Sequence, residues 1–222
     1  MLKFDTPAPI TATLDIPAGR IRFIAADRTD TTVEVLPAHP GKNRDVKAAE
    51  QVTVTFTDDV LHIQAAPAKN RIVGNSGSVE ITVQLPAGSH LRAKAAAGDL
   101  RGVGRLGDVT YEAAQGNVKL DESTSAHLTL QAGDLTLHRL TGPATLTTLK
   151  GDITVTEARH GTLHLRTTAG HITTGAARGT RATLDAATTH GRIHNALAST
   201  ADGPQVTIHA TTALGDITAR TL

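Results

Sequence analysis

Gly98-Asp99-Leu100, Gly116-Asn117-Val118, Gly133-Asp134-Leu135, Gly151-Asp152-Ile153, Gly170-His171-Ile172, Gly191-Arg192-Ile193 and Gly215-Asp216-Ile217 are seven versions of one short unit, and their reading decides the fold. Their glycines are 18, 17, 18, 19, 21 and 24 residues apart. A repeat near this length predicts a solenoid, in which one supersecondary unit stacks on the next and none buries its apolar face alone. Two residues after each glycine stands Leu100, Val118, Leu135, Ile153, Ile172, Ile193 or Ile217. This unbroken aliphatic column must face inward, and strand alternation then turns the first and third residues after each glycine outward. On the other side of the glycine, Leu163 and Leu165, Leu184 and Ala186, and Ile208 and Ala210 occupy the seventh and fifth positions before it. The sixth position before the glycine therefore also faces out. Coils stacked about 4.8 Å apart turn each column into a ladder of close neighbours, and about seven of them make a rod of roughly 30 to 35 Å.

Working outward from this core, residues 91–222 are expected to form the solenoid repeats, and residues 1–90 a less regular β region continuous with them. Ile10, Ala12, Leu14 and Ile16 alternate, as do Val33 with Val35, Val52 with Val54 and Phe56, Leu61 with Ile63, and Val79, Ile81, Val83 with Leu85. Period-2 alternation means one buried face per strand. Ile16-Pro17-Ala18-Gly19 and Leu85-Pro86-Ala87-Gly88 each end an alternating strand and read as one corner used twice, proline ending the ladder and glycine allowing the turn. Residues 38–45 and 67–77 read as loops and 45–51 as a short helical turn.

Composition points the same way. The 222 residues include 35 threonines and 20 glycines, with no tryptophan, one tyrosine and three phenylalanines, so the core is aliphatic and thin. Twenty-two basic and 21 acidic groups leave a net charge of +1. That balance gives no field to recruit nucleic acid or anionic lipid, and the aromatic platforms that bind single strands are missing. No run approaches the ~18 apolar residues of a membrane span. The chain has no cysteine, which excludes disulfides and thiolate chemistry. Met1 to Ile10 lacks the pattern of a secretory signal, so a cytoplasmic location is expected, with no nucleic acid and no membrane among its partners.

The Gly-Asp-[Ile/Leu/Val] units from Gly98 to Gly215 occur together with Leu14-Asp15-Ile16-Pro17-Ala18-Gly19, Asp45-Val46-Lys47-Ala48-Ala49-Glu50 and Val83-Gln84-Leu85-Pro86-Ala87-Gly88. In these stretches the chain resembles the actinobacterial proteins that carry the domain DUF4097, a β-strand-repeat family often labelled adhesin. The resemblance covers essentially the whole chain. It implies an all-β, parallel β-helix-like solenoid, and it brings no established catalytic residues.

Residues able to carry chemistry lie on the outward columns. The column after the glycine reads Asp99, Asn117, Asp134, Asp152, His171, Arg192 and Asp216. Neighbouring carboxylates repel unless a cation, a proton or an amide relieves them. Calcium is one reading, but the Gly-Gly-x-Gly-x-Asp pattern is absent and calcium wants six to eight oxygens. The simpler reading is that each Asp accepts hydrogen bonds within its own turn. Eight of the 11 histidines follow residue 120. Sixth before the glycine stand His164, Asp185 and His209, expected on three successive coils. No metal or cofactor is expected, and these three are the residues that would hold a divalent transition metal if one were bound. Gly102-Val103-Gly104-Arg105-Leu106-Gly107 follows no strand-to-helix transition and reads as a bend, and no nucleophile elbow or phosphate loop is present.

Three functions stay open on these residues. The first is a cytoplasmic scaffold that binds a protein partner or itself through its ends, with the edge placed at Gly215-Asp216-Ile217-Thr218. The second is a hydrolase, lyase or isomerase using a histidine-rich face on the later coils, with His164, His171, Asp185, His190, Arg192, His194 and His209 as candidate catalytic residues. Loops at 176–181 and 198–205 would frame that face. The third is an adhesin, as the family label suggests.

Overall fold

The computed structural model describes residues 1–65, 77–198 and 202–222. Its elements are β1 (Leu2–Asp5), β2 (Thr11–Ala26), β3 (Asp30–Pro37), α1 (Asn43–Glu50), β4 (Val52–Thr57), β5 (Val60–Ala65), β6 (Val79–Pro86), β7 (His90–Gln115), β8 (Val118–Ala132), β9 (Leu135–Leu140), β10 (Ala144–Lys150), β11 (Ile153–Ala158), β12 (Gly161–Arg166), β13 (Ile172–Ala176), β14 (Arg181–His190), β15 (Ile193–Ala196), β16 (Gln205–Leu214) and β17 (Ile217–Thr221). No described helix is long and apolar enough to cross a membrane.

The chain winds as an all-β solenoid of flattened coils, each with one strand on a first face and one on a second. On the first face the order is β4, β5, residues 11–16 of β2, residues 90–95 and then 108–113 of β7, β8, β10, β12, β16 and β14. The two parts of β7 lie side by side, with the Gly107 N–H donating to Ser89 O (2.9 Å) and Lys94 paired with Glu112 (3.1 Å). On the second face the order is β1, β3, β6, the rest of β2, β7, β8, β9, β11, β13, β17 and β15. The inward columns of both faces meet in one thin aliphatic core, where Leu91, Leu128, Leu146, Leu163 and Ile208 face Leu100, Leu135, Ile153, Ile172 and Ile217, each at most 1 % exposed.

The repeat glycine has a steric cause. Gly133 has φ 137°, a conformation L side chains rarely adopt, and a Cβ there would overlap the carbonyl oxygen of Gly116 on the neighbouring coil. Glycine thus lets successive corners nest. The same carbonyls help explain the threonine content: Thr148, Thr167 and Thr212 donate their hydroxyls to the oxygens of Gly133 (3.2 Å), Gly151 (3.0 Å) and Gly170 (3.1 Å). These threonines are nearly fully buried, so the bonds satisfy hydroxyls that would otherwise be costly there.

Several expectations are corrected. The coil of residues 205–221 is not the outermost one: β16 and β17 lie between β12–β13 and β14–β15, so residues 181–196 end the stack. The two Pro-Ala-Gly sequences occupy opposite corners. Gly19 pairs with Gly98 where the first face passes to the second, whereas the Gly88 N–H donates to Arg105 O where the second passes back to the first. Residues 11–26 likewise lie out of chain order, between the coil of β5 and β6 and the first coil of β7. The 45–51 turn is a helix beginning two residues earlier, and most of the 67–77 loop lies outside the described residues.

Candidate functional site

The last three coils carry the histidine-rich surface. Register alone brings three of its members together, because His164 is the Cα partner of His209 and His209 that of Asp185. The order is therefore His164, His209, Asp185, with His209 in the middle, and not the chain order expected from the repeat. The rings of His164 and His209 stack at 5.0 Å with an interplanar angle of 8°, and His209 Nδ1 lies 3.2 Å from Asp185 Oδ2. A metal bound by imidazole sits about 2.0–2.1 Å from the nitrogen, in the ring plane. Two nearly parallel rings at this separation share no such point. No three potential ligand side chains gather into a metal-holding group among the described residues.

The other candidates lie elsewhere. His171 and Arg192 are on the second face, across the core from His164, and belong to a hydrogen-bond ladder. The side chain of each residue after the glycine accepts from the backbone N–H of its counterpart one coil further on. Asp99 accepts from Asn117 (2.8 Å), Asn117 from Asp134 (3.0 Å), Asp134 from Asp152 (2.8 Å) and Asp152 from His171 (2.7 Å). His171 Nδ1 accepts from Asp216 (3.0 Å) and Asp216 from Arg192 (2.8 Å). The aspartates are thus relieved by amides of the adjoining coil, not of their own turn. The Arg192 amide holds the Asp216 carboxyl below the usual carboxylate range, against a smaller opposing effect of desolvation. His171 and Arg192, departures from the Asp repeat, continue the same ladder in the stacking order 152, 171, 216, 192. His190 ends β14 at the corner and His194 lies on β15, Cα partner of Thr218; both are exposed. The seven residues therefore divide between two opposite faces and the corner joining them. Of the two loops expected to frame them, residues 177–180 form a turn at the far corner, and residues 199–201 of the second lie outside the described residues.

What sequence reasoning did not locate is the open end itself. In the coil of 205–221 the inward residues Val206, Ile208, Ile217 and Ala219 are all fully buried. One coil further out, Leu184 and Ala186 are half-buried, Ile193 is 46 % exposed, and Asn195 occupies an inward position in solvent. No strand pairs with the outer edges of β14 and β15 among the described residues. Asn195 was the available signal: the corresponding positions in the coils of 118–140 are Leu120 and Leu137.

These features define a class of protein: a two-faced β-solenoid whose coils nest at glycine corners and are laced by side-chain-to-amide bonds along one outer column. The chain belongs to the Toastrack DUF4097 family, whose model matches residues 13–221. No curated protein matches it. Among solved structures it is similar to a candidate adhesin of Parabacteroides distasonis ATCC 8503, with 15% identity over 98% of this chain and 95% of that one and a TM-score of 0.46. A candidate lipid-binding protein of the same organism shows 11% identity, 97% and 95% coverage and a TM-score of 0.46. A candidate cell adhesion protein of Clostridium sporogenes ATCC 15579 shows 10% identity, 100% and 98% coverage and a TM-score of 0.40. Likeness at this level carries no argument about role.

Proposed function

We propose that the protein is a non-enzymatic interaction module that associates with a second copy of itself through the coil of residues 181–196. The observation that carries this reading is the abrupt change at that coil, where a continuous aliphatic core reaches solvent between two strand edges that have no partner among the described residues. An unpaired edge offers a row of backbone donors and acceptors to another strand, and an exposed apolar interior adds the drive to cover it. The ten residues of β14 are a long edge to leave bare. The division of the histidine-rich residues between opposite faces supports binding over a shared reaction centre.

The test is the mass in solution by light scattering across a hundredfold dilution, for the natural chain and for the double variant Leu184→Asp, Ile193→Asp. The natural chain is expected to gain mass with concentration and the variant to stay monomeric, in both cases with and without a chelator. A natural chain that remains monomeric throughout would overturn the proposal.

A further inference from the structure

A groove of about 550 Å³ crosses the first face at the opposite end of the stack, over β5, residues 11–16 of β2 and both first-face segments of β7. Four adjacent strand segments at about 4.8 Å spacing make it roughly 14 Å long. Its volume is that of a small-molecule site. Leu14, Ile63 and Ala93 contribute backbone to its floor while their side chains point into the core. Two columns of outward side chains line it, His62, Thr13, Arg92 and Thr110 in one and Gln64, Asp15, Lys94 and Glu112 in the other. Two pairs are already engaged: Thr13 Oγ1 with His62 Nδ1 at 2.7 Å, and Lys94 with Glu112 at 3.1 Å. The side chains of Asp15, Arg92 and Gln64 have no such partner among the described residues.

We infer that this groove binds a neutral polyhydroxylated ligand, an oligosaccharide segment. The chemistry of the lining selects that class. Asp15 and Glu112 only accept hydrogen bonds, Arg92 and Lys94 only donate, and Gln64, Thr13 and Thr110 do both. Two carboxylates against two cations leave the groove without net charge. A phosphate or carboxylate ligand would meet Asp15 and Glu112, and a polycation would meet Arg92 and Lys94. A hydroxyl meets neither penalty, since it donates and accepts at once, so adjacent hydroxyls can donate to Asp15 and accept from Arg92. The threonine methyls and the aliphatic stems of Arg92 and Lys94 supply the apolar patches that the C–H faces of a sugar need. These segments are hydrogen-bonded on both sides within the sheet, so the backbone of the groove is ordered before a ligand arrives, and the ordering cost falls on the free side chains of Asp15, Arg92 and Gln64. With no aromatic platform, affinity belongs in the millimolar range, with a Kd of ~1 mM. The groove and the open end lie at opposite ends of the stack, so a ligand here leaves self-association untouched.

The experiment is an amide chemical-shift titration of the full chain with maltotriose, cellotriose and tri-N-acetylchitotriose, each to roughly ten times that Kd, with inorganic phosphate and trilysine as controls. At least one trisaccharide is expected to shift residues 13–15, 62–64, 92–94 and 110–112 saturably. The double variant Asp15→Ala, Arg92→Ala is expected to weaken that binding at least tenfold. Both side chains are exposed, so the variant's remaining spectrum reports that the fold is kept. Silence with all three sugars would overturn the inference. So would shifts with phosphate or trilysine alone, or sugar binding indifferent to the double variant.

Discussion

The two ends of the solenoid solve the same problem differently. At the amino-terminal end the chain reverses direction. β4 runs antiparallel to β5 and β3 antiparallel to both β6 and β1, so the outermost strands belong to hairpin-like layers. Asp58 and Asp59, with φ of 52° and 59°, form the tight β4–β5 link, the double left-handed geometry that matches strand twist. Phe4 of β1 meets Phe56 of β4 across the end of the core at 5.4 Å, and Ala48 and Ala49 of α1 pack against the same core. Buried Asp45 accepts from the Ser78 amide at 3.1 Å and lies 3.0 Å from His39 Nδ1, fixing the segment before β6 to the helix. At the opposite end β14 and β15 run parallel to β16 and β17 beneath them. A parallel strand returns only after a full coil, and that coil exposes a new edge in its turn. Closure therefore needs reversal of the chain or a partner, and among the described residues the chain reverses at one end only.

That contrast can be tested at matched positions. The largest difference is expected between Gly133→Ala and Gly191→Ala. The first forces a left-handed backbone and a Cβ–carbonyl overlap in the middle of the stack, costing more than about 3 kcal/mol and lowering Tm by roughly 6–12 °C. The second also meets a neighbouring carbonyl, that of Gly215, but in a coil that is paired on one side only among the described residues. It is expected to fray residues 181–196, seen as faster amide exchange there, with Tm nearly unchanged. Equal losses of Tm would break the comparison.

A smaller difference separates Phe56→Ala from Ile193→Ala. Removing half of the Phe4–Phe56 contact is expected to cost about 2 kcal/mol in denaturant unfolding at any protein concentration. Ile193 is half exposed in the single chain, so its loss is expected to cost less than about 1 kcal/mol in dilute solution. The Ile193 effect should grow with protein concentration as the end becomes covered.

The smallest expected effect is electrostatic. At the closed end hydrogen bonds from Arg28 and then Lys3 lower Asp30 to about 2, and the Ser78 amide lowers Asp45. At the open end the Arg192 amide lowers Asp216. A carboxyl whose folded pKa is depressed adds stability that is full above its unfolded value of about 3.9 and is lost as pH falls through the folded value. Amide protection factors, the exchange rates corrected for the intrinsic slowing of exchange in acid, should therefore fall at both ends as pH is lowered from about 5, a window set by that unfolded value with about one unit of margin. Asp45→Asn should flatten the profile only around α1, and Asp216→Asn only at Arg192 and its neighbours. A variant that flattened both would show the ends to be coupled.

The coils were legible in the sequence because their cause is local: a glycine where corners nest, with aliphatic residues at fixed distances on either side. Their order was not. Leu184 with Ala186 and Ile208 with Ala210 present the same alternation, and a parallel coil accepts either neighbour in identical register, so periodicity is silent on which lies outside. Asn195 at an inward position marks the outer coil, but only once the columns are counted four residues past the glycine. The strand directions at the closed end were hidden for a similar reason, since Val33 and Val35 alternate alike in parallel and antiparallel strands. The Pro-Ala-Gly corners misled because turn chemistry does not record which face it leaves. Column position puts His164, Asp185 and His209 in one row, whereas the stacking order that sets the imidazoles face to face is not written in the repeat. The groove was out of reach because His62, Thr13, Arg92 and Thr110 become neighbours only through the displaced coil of residues 11–26.

That residues 205–221 lie inside residues 181–196 also governs how the molecule can be made. During synthesis β14 emerges before β16, so neither its native partner nor that of the β12 edge yet exists. The amino-terminal stack can consolidate coil by coil as the ribosome delivers it, but the last two coils can settle only together. Until β16 arrives, the nascent chain holds two edges that fit each other's pattern, and winding in simple succession would lock β14 onto β12. Assembly of this end is thus a contest decided by the final segment, a source of slow, misregistered intermediates that strictly sequential solenoids do not face.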